Sequence, residues 1–261
     1  MKIREFINNL RKNGRYHFAI QEAIEALNLS KASVLNAIHR LKLNNEVTSP
    51  VRGFYIIVPP EYQAYGCLPA DMFIDNLMKH LNLPYYVGFL SAAQFYGASH
   101  QKPQRFQVVT IKNRRPIHCG RIYIEFIANQ YTNKIPTRNF NTKTGVIAVS
   151  TPEALAMDLI TAPQHAAGIH NVATILNELA EKIDVNKLIE LNECYPQLFL
   201  MQRLGYLFEF LGFDKIESKI AKFLVDKDLH WAKLVPSKAY TALSRNKKWR
   251  IIVNVNVEPD E

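Results

Sequence analysis

The 261-residue sequence predicts an α+β fold in two parts, a small N-terminal domain over residues 1–60 and a larger mixed α/β domain over residues 71–261. Three observations predict it. The first 60 residues contain three segments with helical periodicity and then two short β-prone runs. Residues 58–70 are rich in proline and aperiodic, which is typical of a domain boundary. Beyond them, β-prone runs and helical segments mix along the rest of the chain.

Apolar residues at helical spacing predict the three N-terminal helices. The first helix ends at Asn13-Gly14, and a tight turn over residues 28–30 separates the second helix from the third. Ser30 is placed to cap the third helix, which runs from Lys31 to about Leu43. The apolar faces of the first two helices consist of Ile3, Phe6, Ile7 and Leu10, and of Ile20, Ala23, Ile24 and Leu27.

A hairpin follows the third helix, because the β-prone runs 47–49 and 53–57 are joined by Pro50-Val51-Arg52. Two helices, a short turn, a third helix and a hairpin with arginine at its tip form the layout of a winged helix-turn-helix domain. In that layout the third helix enters the major groove of DNA and the hairpin, or wing, reaches an adjacent backbone. A winged helix that serves only protein contacts is the alternative.

The third helix has two faces. Val34, Ile38 and Leu41 recur at helical spacing and are expected to be buried. The polar side chains on the remaining surface are Lys31, Ser33, Asn36 and Arg40. We predict that Ser33, Asn36 and Arg40 read base edges of double-stranded DNA, and that Lys31 and Arg52 contact phosphates.

In the second part, helices are predicted over residues 71–80 and 91–97, the latter opened by Ser91 and closed at Gly97. Strands are predicted over residues 106–111, 122–127 and 146–149, and the first two are expected to form a hairpin with a basic tip at residues 112–120. Thr151-Pro152-Glu153 opens a helix with a cap, a proline and an acid. Helices dominate up to about residue 225, and a strand over residues 249–257 ends the series.

The net charge of +9 is concentrated in two blocks. Residues 1–60 carry nine Lys and Arg against four Asp and Glu, and residues 97–143 carry nine against one. Such blocks indicate faces that meet a polyanion, although the second block by itself is equally compatible with solvated surface charge. We predict that the second block extends the DNA footprint or contacts RNA or the substrate of a toxin. This second basic surface comprises Lys112, Arg114, Arg115, Arg121, Lys134 and Arg138.

Catalytic and metal-binding patterns are weak in this sequence. Asp226 and Asp228 have the spacing of paired metal ligands but are expected in a solvated turn, and no glycine-rich phosphate loop is present. His118 with Cys119, and His165 with His170, are explained better without a metal. The three cysteines lie far apart and are expected to be packed free thiols. We therefore predict no enzyme activity, cofactor or metal site. With no membrane span or secretory signal recognised, a cytoplasmic protein is expected.

Several segments resemble the AbiEi-type antitoxin family of type IV toxin–antitoxin systems, which act in abortive infection. They occur in the expected order over nearly the whole chain. Ala154 departs from the pattern, because many members carry a basic residue there. The segments are the wing at Arg52–Tyr55, then Tyr86–Gly97, Ser150–Asp158, Gln202–Leu207 and Trp249–Asn254.

The resemblance implies a DNA-binding repressor of its own operon, bound to inverted repeats, whose C-terminal domain neutralises a nucleotidyltransferase-like toxin in phage defence. It also implies that no stable toxin complex is needed. Two alternatives stay open: a solitary transcriptional regulator without a toxin, and a nucleic-acid-modifying enzyme guided by the winged helix. The missing carboxylate cluster argues against the enzyme.

Overall fold

The computed structural model describes residues 2–99, 104–195, 197–239 and 243–258. The chain divides into two compact units. The first comprises Met1–Val87, Gln104–Asn133 and Asn139–Ala148, and the second comprises Gly88–Pro103, Lys134–Arg138 and Val149–Glu261. The first unit therefore includes the predicted N-terminal domain and part of the predicted second one. Whether residues 1–60 and 71–261 fold separately stays a prediction.

The N-terminal region has the predicted winged-helix arrangement. Its elements are α1 (Ile3–Lys12), β1 (His17–Ala19), α2 (Ile20–Leu27), α3 (Lys31–Leu43), β2 (Val47–Val51) and β3 (Phe54–Ile57). The three strands form an antiparallel sheet in the order β1-β3-β2. Strand β1 was not predicted from the sequence, because its three residues form a strand only through pairing with β3.

Local chemistry fixes the turn between α2 and α3. Asn28 ends α2 in the left-handed conformation with φ of 52°, which asparagine tolerates better than most residues. Ser30 then caps α3, its hydroxyl accepting the backbone N–H of Ser33 at 3.2 Å. The predicted cap is confirmed.

Strand β3 is buried on both faces. Tyr55 and Ile57 belong to the core that the three helices share with the sheet. Phe54 and Ile56 point to the opposite face and are at most 1% exposed, with the Phe54 ring 5.2 Å from that of His80. The second face of the winged-helix sheet is thus covered within the first unit.

The Pro-rich stretch after the wing is packed rather than extended into solvent. Residues Pro60–Tyr65 form a 3-10 helix, and Cys67 and Leu68 are fully buried. A second 3-10 turn, Ala70–Met72, precedes α4 (Ile74–His80), so the predicted helix over residues 71–80 is present in a shorter form.

A six-stranded sheet lies mostly in the first unit. Its strands are β4 (Tyr85–Val87), β5 (Phe106–Thr110), β6 (Ile117–Cys119), β7 (Ile122–Ala128), β8 (Thr137–Thr142) and β9 (Gly145–Ser150), in the order β6-β7-β5-β4-β9-β8. The predicted hairpin between β5 and β7 is wrong, because these strands pair in parallel. The additional strand β6 lies between them in sequence and pairs antiparallel with β7, so the basic residues 112–116 form a crossover and the hairpin turn lies at Gly120-Arg121.

The second unit is mainly helical, as predicted. Its helices are α5 (Phe89–Phe95), α6 (Pro152–Thr161), α7 (Ile169–Leu179), α8 (Val185–Glu190), α9 (Leu198–Phe210) and α10 (Asp214–Leu224). A small sheet of β10 (Ala232–Lys233), β12 (Ile251–Val253) and β11 (Ser244–Asn246) joins them. Thr151 caps α6 through the backbone N–H of Ala154 at 3.3 Å, which confirms the predicted start.

Two predicted boundaries in this unit are wrong. Ser91 does not open its helix: the backbone N–H of Ala92 already bonds to the Gly88 carbonyl at 3.1 Å, so α5 begins earlier. The final strand is shorter than residues 249–257, because Arg250 adopts φ of 48° and interrupts the extended chain. Beyond β12, the Asn254 side chain bonds to the backbone of Val235.

Two of the sequence segments singled out above pack directly on each other. The Gln202 side chain in α9 donates to the Trp249 carbonyl at 2.7 Å and to the His230 carbonyl at 3.0 Å. One helical turn along, Gly205 lies against the Trp249 indole, where a Cβ would come within 2.5 Å of Cε3. Trp249, 1% exposed, also donates its ring N–H to Glu209. The glycine is therefore needed to admit the indole.

Candidate nucleic-acid interface

Helix α3 presents the polar face that the sequence predicts. Val34, Ile38 and Leu41 are at most 3% exposed and pack in the winged-helix core. The predicted DNA-contacting residues of this helix, Lys31, Ser33, Asn36 and Arg40, are all exposed. At 100° per residue, Ser33, Asn36 and Arg40 fall within an arc of about 60°, whereas Lys31 lies about 180° around the helix axis from Arg40. The first three can reach one groove floor together, whereas Lys31 projects from another side of α3, at its first residue.

The Ser33 hydroxyl has a partner within the helix cap. It lies 2.9 Å from the Ser30 hydroxyl, while the Ser33 backbone N–H donates to the same Ser30 oxygen. A serine hydroxyl has one donor and two acceptor sites, so Ser33 retains hydrogen-bonding capacity. Its contact with a base would nevertheless compete with the cap, which makes it the weakest of the three predicted base-reading groups.

Two arginines of the winged helix are paired with carboxylates, whereas the cations of α3 and the wing tip that were predicted to meet DNA are not paired with any described residue. Arg4 bonds to Glu46 at 2.7 Å, and Arg15 makes a bidentate pair with Glu22 at 2.6 and 2.5 Å. Within the described part of the chain, Lys31, Arg40 and Arg52 form no ion pair. Because these three side chains are exposed and carry uncompensated charge, they are available to a polyanion.

The wing is short and held in place. Gly53 adopts φ of +84°, and its carbonyl accepts the backbone N–H of Ile20 at 2.9 Å. The Ser49 hydroxyl donates to the carbonyls of Val51 at 2.8 Å and Phe54 at 2.9 Å. Arg52 is exposed beside Gly53 at the tip. The predicted phosphate contact therefore comes from a tight, fixed turn.

The prediction did not include His39, although it is exposed on the outward surface of α3, three residues after Asn36. A neutral imidazole can donate or accept a hydrogen bond at a base edge. The signal was available in the helical period, but a charge-based selection passes over histidine.

The residues of the predicted second basic surface are divided between the two units. Lys112, Arg114, Arg115 and Arg121 lie in the first unit, and Lys134 and Arg138 lie in the second. Whether the six form one surface stays a prediction.

Within the first unit, two arginines of this block contact aromatic rings. The Arg114 guanidinium lies 5.8 Å from the Phe126 ring centre, and its buried Nε lacks a hydrogen-bond partner among the described residues. Arg121 lies 5.6 Å from the Tyr65 ring. Lys112 and Arg115 are exposed on the crossover between β5 and β6. These last two are the side chains best placed to meet a phosphate.

The clusters considered for catalysis do not assemble. Among the residues that the structure describes, no three His, Cys, Asp or Glu side chains are grouped to hold a metal ion. Asp228 is 89% exposed beside His230, His165 packs on Phe89, and His170 accepts the backbone N–H of Glu258 at 3.1 Å. Nor does any described helix combine the length and apolar character needed to cross a bilayer.

Comparison with known proteins gives a family match for part of the chain. Residues 86–210 match the model of the AbiEi antitoxin C-terminal domain family, which confirms the resemblance for that segment. The crystal structure of the RV2827C protein from Mycobacterium tuberculosis has a TM-score of 0.70 at 14% identity, covering 94% of this chain and 89% of that chain. At this identity the likeness shows a shared fold.

The solution structure of the antibiotic-resistance factor ANT(2'')-Ia covers 47% of this chain and 87% of that chain at 10% identity. Its TM-score is 0.32. No curated protein matches the sequence.

Proposed function

We propose that this chain, which carries an AbiEi antitoxin C-terminal domain over residues 86–210, is the antitoxin of a toxin–antitoxin system and represses its own operon through the winged helix. The distribution of unpaired charge carries the DNA-binding part of this proposal. Arg4 and Arg15 are neutralised by carboxylates, whereas Lys31, Arg40 and Arg52 are exposed without an ion pair in the described structure. Such a surface suits the phosphate backbone of an operator.

The residues on this surface have different roles. Asn36 and Arg40, helped by Ser33, read base edges in the major groove, since they share one arc of α3. Lys31 and Arg52 contact phosphates at the groove rim and beside the wing. Inverted repeats at the promoter are the expected operator, because two copies of a winged helix match two half-sites.

Two substitutions in the full-length protein separate base reading from phosphate contact. Arg40→Ala is expected to cost about 1–3 kcal/mol on the chain's own promoter DNA and less on a random duplex. Lys31→Ala is expected to weaken both equally and to lower the slope of log K against log salt by roughly one unit. Arg4→Ala is the matched control, because it removes a charge already paired with Glu46. Fluorescence anisotropy over a salt series measures all three. Equal losses on promoter and random DNA for both test variants would falsify the assignment.

The antitoxin part needs a test that leaves the fold intact. Ser33, Asn36 and Arg40 are exposed, so replacing all three with alanine is expected to abolish repression while the chain stays folded. We propose that the partner toxin is nucleotidyltransferase-like and that this triple variant still rescues cells from it without forming a stable complex. Rescue and promoter activity are read in the same cells, with wild-type and Arg4→Ala chains as controls. If rescue disappears together with repression, neutralisation depends on repression and the chain is a regulator only.

The enzyme alternative is tested on the same purified protein. The proposal expects no nuclease or nucleotidyltransferase activity on DNA or RNA with added divalent cations. An activity that chelator removes would replace the regulator by a nucleic-acid-modifying enzyme.

A further inference from the structure

Two cysteines that are far apart in sequence meet in the first unit. Cys67 follows the 3-10 helix after the wing, and Cys119 is the last residue of β6. Both thiols are free and buried, and the largest influence on the pKa of each comes from the other thiol, which places the two side chains side by side. The proximity of the two cysteines was not predicted from the sequence, because the strand β6, which carries Cys119, was not predicted.

Glycines beside each cysteine bring the two backbones together. Gly66 precedes Cys67 and Gly120 follows Cys119; a Cβ on Gly120 would lie 2.9 Å from the Gly66 Cα and would also collide with the Tyr65 carbonyl. The same Tyr65 carbonyl accepts the backbone N–H of Arg121 at 2.8 Å. The two segments are therefore fixed at a separation that allows side chains of adjacent residues to bond.

The pair is also connected to the winged helix. The Cys119 thiol lies 3.2 Å from the Thr48 hydroxyl of β2, the first strand of the wing. The neighbouring Cys67 thiol lowers the pKa of Cys119, against the opposing effect of burial, and Thr48 and the positive charge of Lys42 act in the same direction. The proton that remains is held by Cys67, whose pKa is raised by the Cys119 thiol and by burial. Cys119 is therefore the thiol of the pair that ionises more easily, and a thiolate is the nucleophile that reacts with an oxidant.

We propose that Cys67 and Cys119 form an oxidative modification site, at which a hydroperoxide converts the two thiols into an intramolecular disulfide that changes the contact between β6 and the wing. The Cys119 thiolate attacks the peroxide, forming an S–O bond and breaking the O–O bond, and the released oxygen leaves as water after protonation. The Cys67 sulfur then displaces the second water from the sulfenic acid, and its proton leaves with that water. Overall, two thiols and one hydrogen peroxide yield one disulfide and two waters.

The consequence for the wing follows from Thr48. In the reduced protein, the Cys119 sulfur and the Thr48 hydroxyl share a hydrogen bond. In the disulfide the Cys119 sulfur has no S–H to donate and no negative charge to accept with, and it is tied to the segment at residue 67. The bond that joins β2 to β6 is weakened as a result, and backbone opening at residues 47–51 becomes more frequent.

The test uses the full-length chain with Cys194→Ser, which removes the remaining and more accessible thiol. Hydrogen peroxide is expected to lower the mass of this variant by about 2 Da, reversibly by dithiothreitol, with Cys67 and Cys119 in one crosslinked peptide pair. The matched control carries Cys67→Ser in addition, and it is expected to form no disulfide. Circular dichroism of both reduced variants checks that they are folded. Persistence of both thiols under excess peroxide, or oxidation of Cys119 without crosslinking, overturns the modification site.

The second readout is amide hydrogen exchange at residues 47–51. Exchange is expected to accelerate severalfold on oxidation of the Cys194→Ser variant and to stay unchanged in the control lacking Cys67. A disulfide that forms while exchange in β2 remains the same would overturn the coupling to the wing. Neither readout depends on DNA or on a toxin, so failure here is distinguishable from failure of the proposed function.

Discussion

Replacement of Gly205 by alanine is expected to destabilise the second unit although alanine is the better helix former. In a helix interior the exchange gains about 1 kcal/mol. Here, however, the new methyl group would lie within 2.5 Å of Trp249 Cε3, whereas carbon atoms pack at roughly 3.5–4.0 Å. The ring cannot retreat easily, because the Trp249 backbone is held by Gln202 and Asn246 and its N–H bonds to Glu209.

The magnitude follows from these opposing effects. Loss of the indole's packing costs about 3–5 kcal/mol, and the helical gain leaves a net destabilisation of about 2–4 kcal/mol. Urea unfolding of the full-length chain, followed by tryptophan fluorescence, measures it, since both tryptophans lie in the second unit. In a Trp249→Leu background the same glycine substitution is expected to be neutral or stabilising.

A control separates the clash from backbone strain. Gly97 has nothing within 4 Å of an added Cβ but adopts φ of +69°, so Gly97→Ala reports strain alone, about 1–2 kcal/mol. If Gly205→Ala changes the free energy of unfolding by less than about 0.5 kcal/mol, or if its effect is the same with leucine at position 249, the argument from close packing is refuted.

Three further predictions concern the first unit. Burial, followed by the charge of Arg15, lowers the pKa of His17 from 6.5 to about 4. The charges of Glu22, Asp75 and Lys79 also act on it. On acidification, the unfolded chain is therefore protonated at His17 before the folded chain is. The free energy of unfolding falls by about 1–2 kcal/mol as pH decreases from 6.5 to 4, after allowance for the partial exposure of the ring. His17→Gln should flatten this dependence in urea unfolding at several pH values, and an unchanged profile contradicts it. A fragment of residues 1–62 should fold around its own core and bind DNA. Its free energy of unfolding should be about 3–6 kcal/mol lower than that of the winged helix in the full chain, because Phe54 and Ile56 become exposed. An equal free energy of unfolding refutes this. Arg115→Ala should lower the salt slope of DNA binding by roughly one unit, whereas an unchanged slope removes the crossover from the footprint.

Features that depend on neighbouring residues could be predicted from the sequence. The Ser30 and Thr151 caps join atoms three residues apart, and the apolar face of α3 repeats within one helix. The position of β1 could not be predicted in this way, because three residues become a strand only when β3 is alongside. Strand β6 was not predicted for the same reason, since it is a strand only because it pairs with β7. Without β6, neither the parallel pairing of β5 with β7 nor the proximity of Cys67 and Cys119 could be predicted.

In the candidate site too, features set by neighbouring residues could be predicted, and features set by residues distant in sequence could not. Exposure of Lys31, Asn36 and Arg40 follows from the helical period, so the sequence was sufficient for it. The pairing of Arg4 with Glu46 was not predictable, since Glu46 lies 42 positions from Arg4. Nor was it predictable that Arg40 forms no ion pair with any residue that the structure describes. Likewise, the six residues of the second basic surface are near in sequence but belong to two units. Charge along a chain indicates a polyanion partner without placing the charges on one face.

Burial of β3 on both sides has a consequence for DNA binding. A strand that faces solvent on one side alternates apolar and polar residues, whereas Phe54-Tyr55-Ile56-Ile57 has no polar position, and this signal was already present in the sequence. The wing built on this strand is held by the Gly53–Ile20 backbone bond, by Ser49 and by Thr48. A turn fixed before binding loses little conformational freedom when Arg52 meets a phosphate, so less of the contact energy is offset. In the proposed DNA complex, the packing beneath the wing therefore contributes to affinity without touching the DNA, and changes there, including the proposed oxidation of the cysteine pair, are expected to act through the wing.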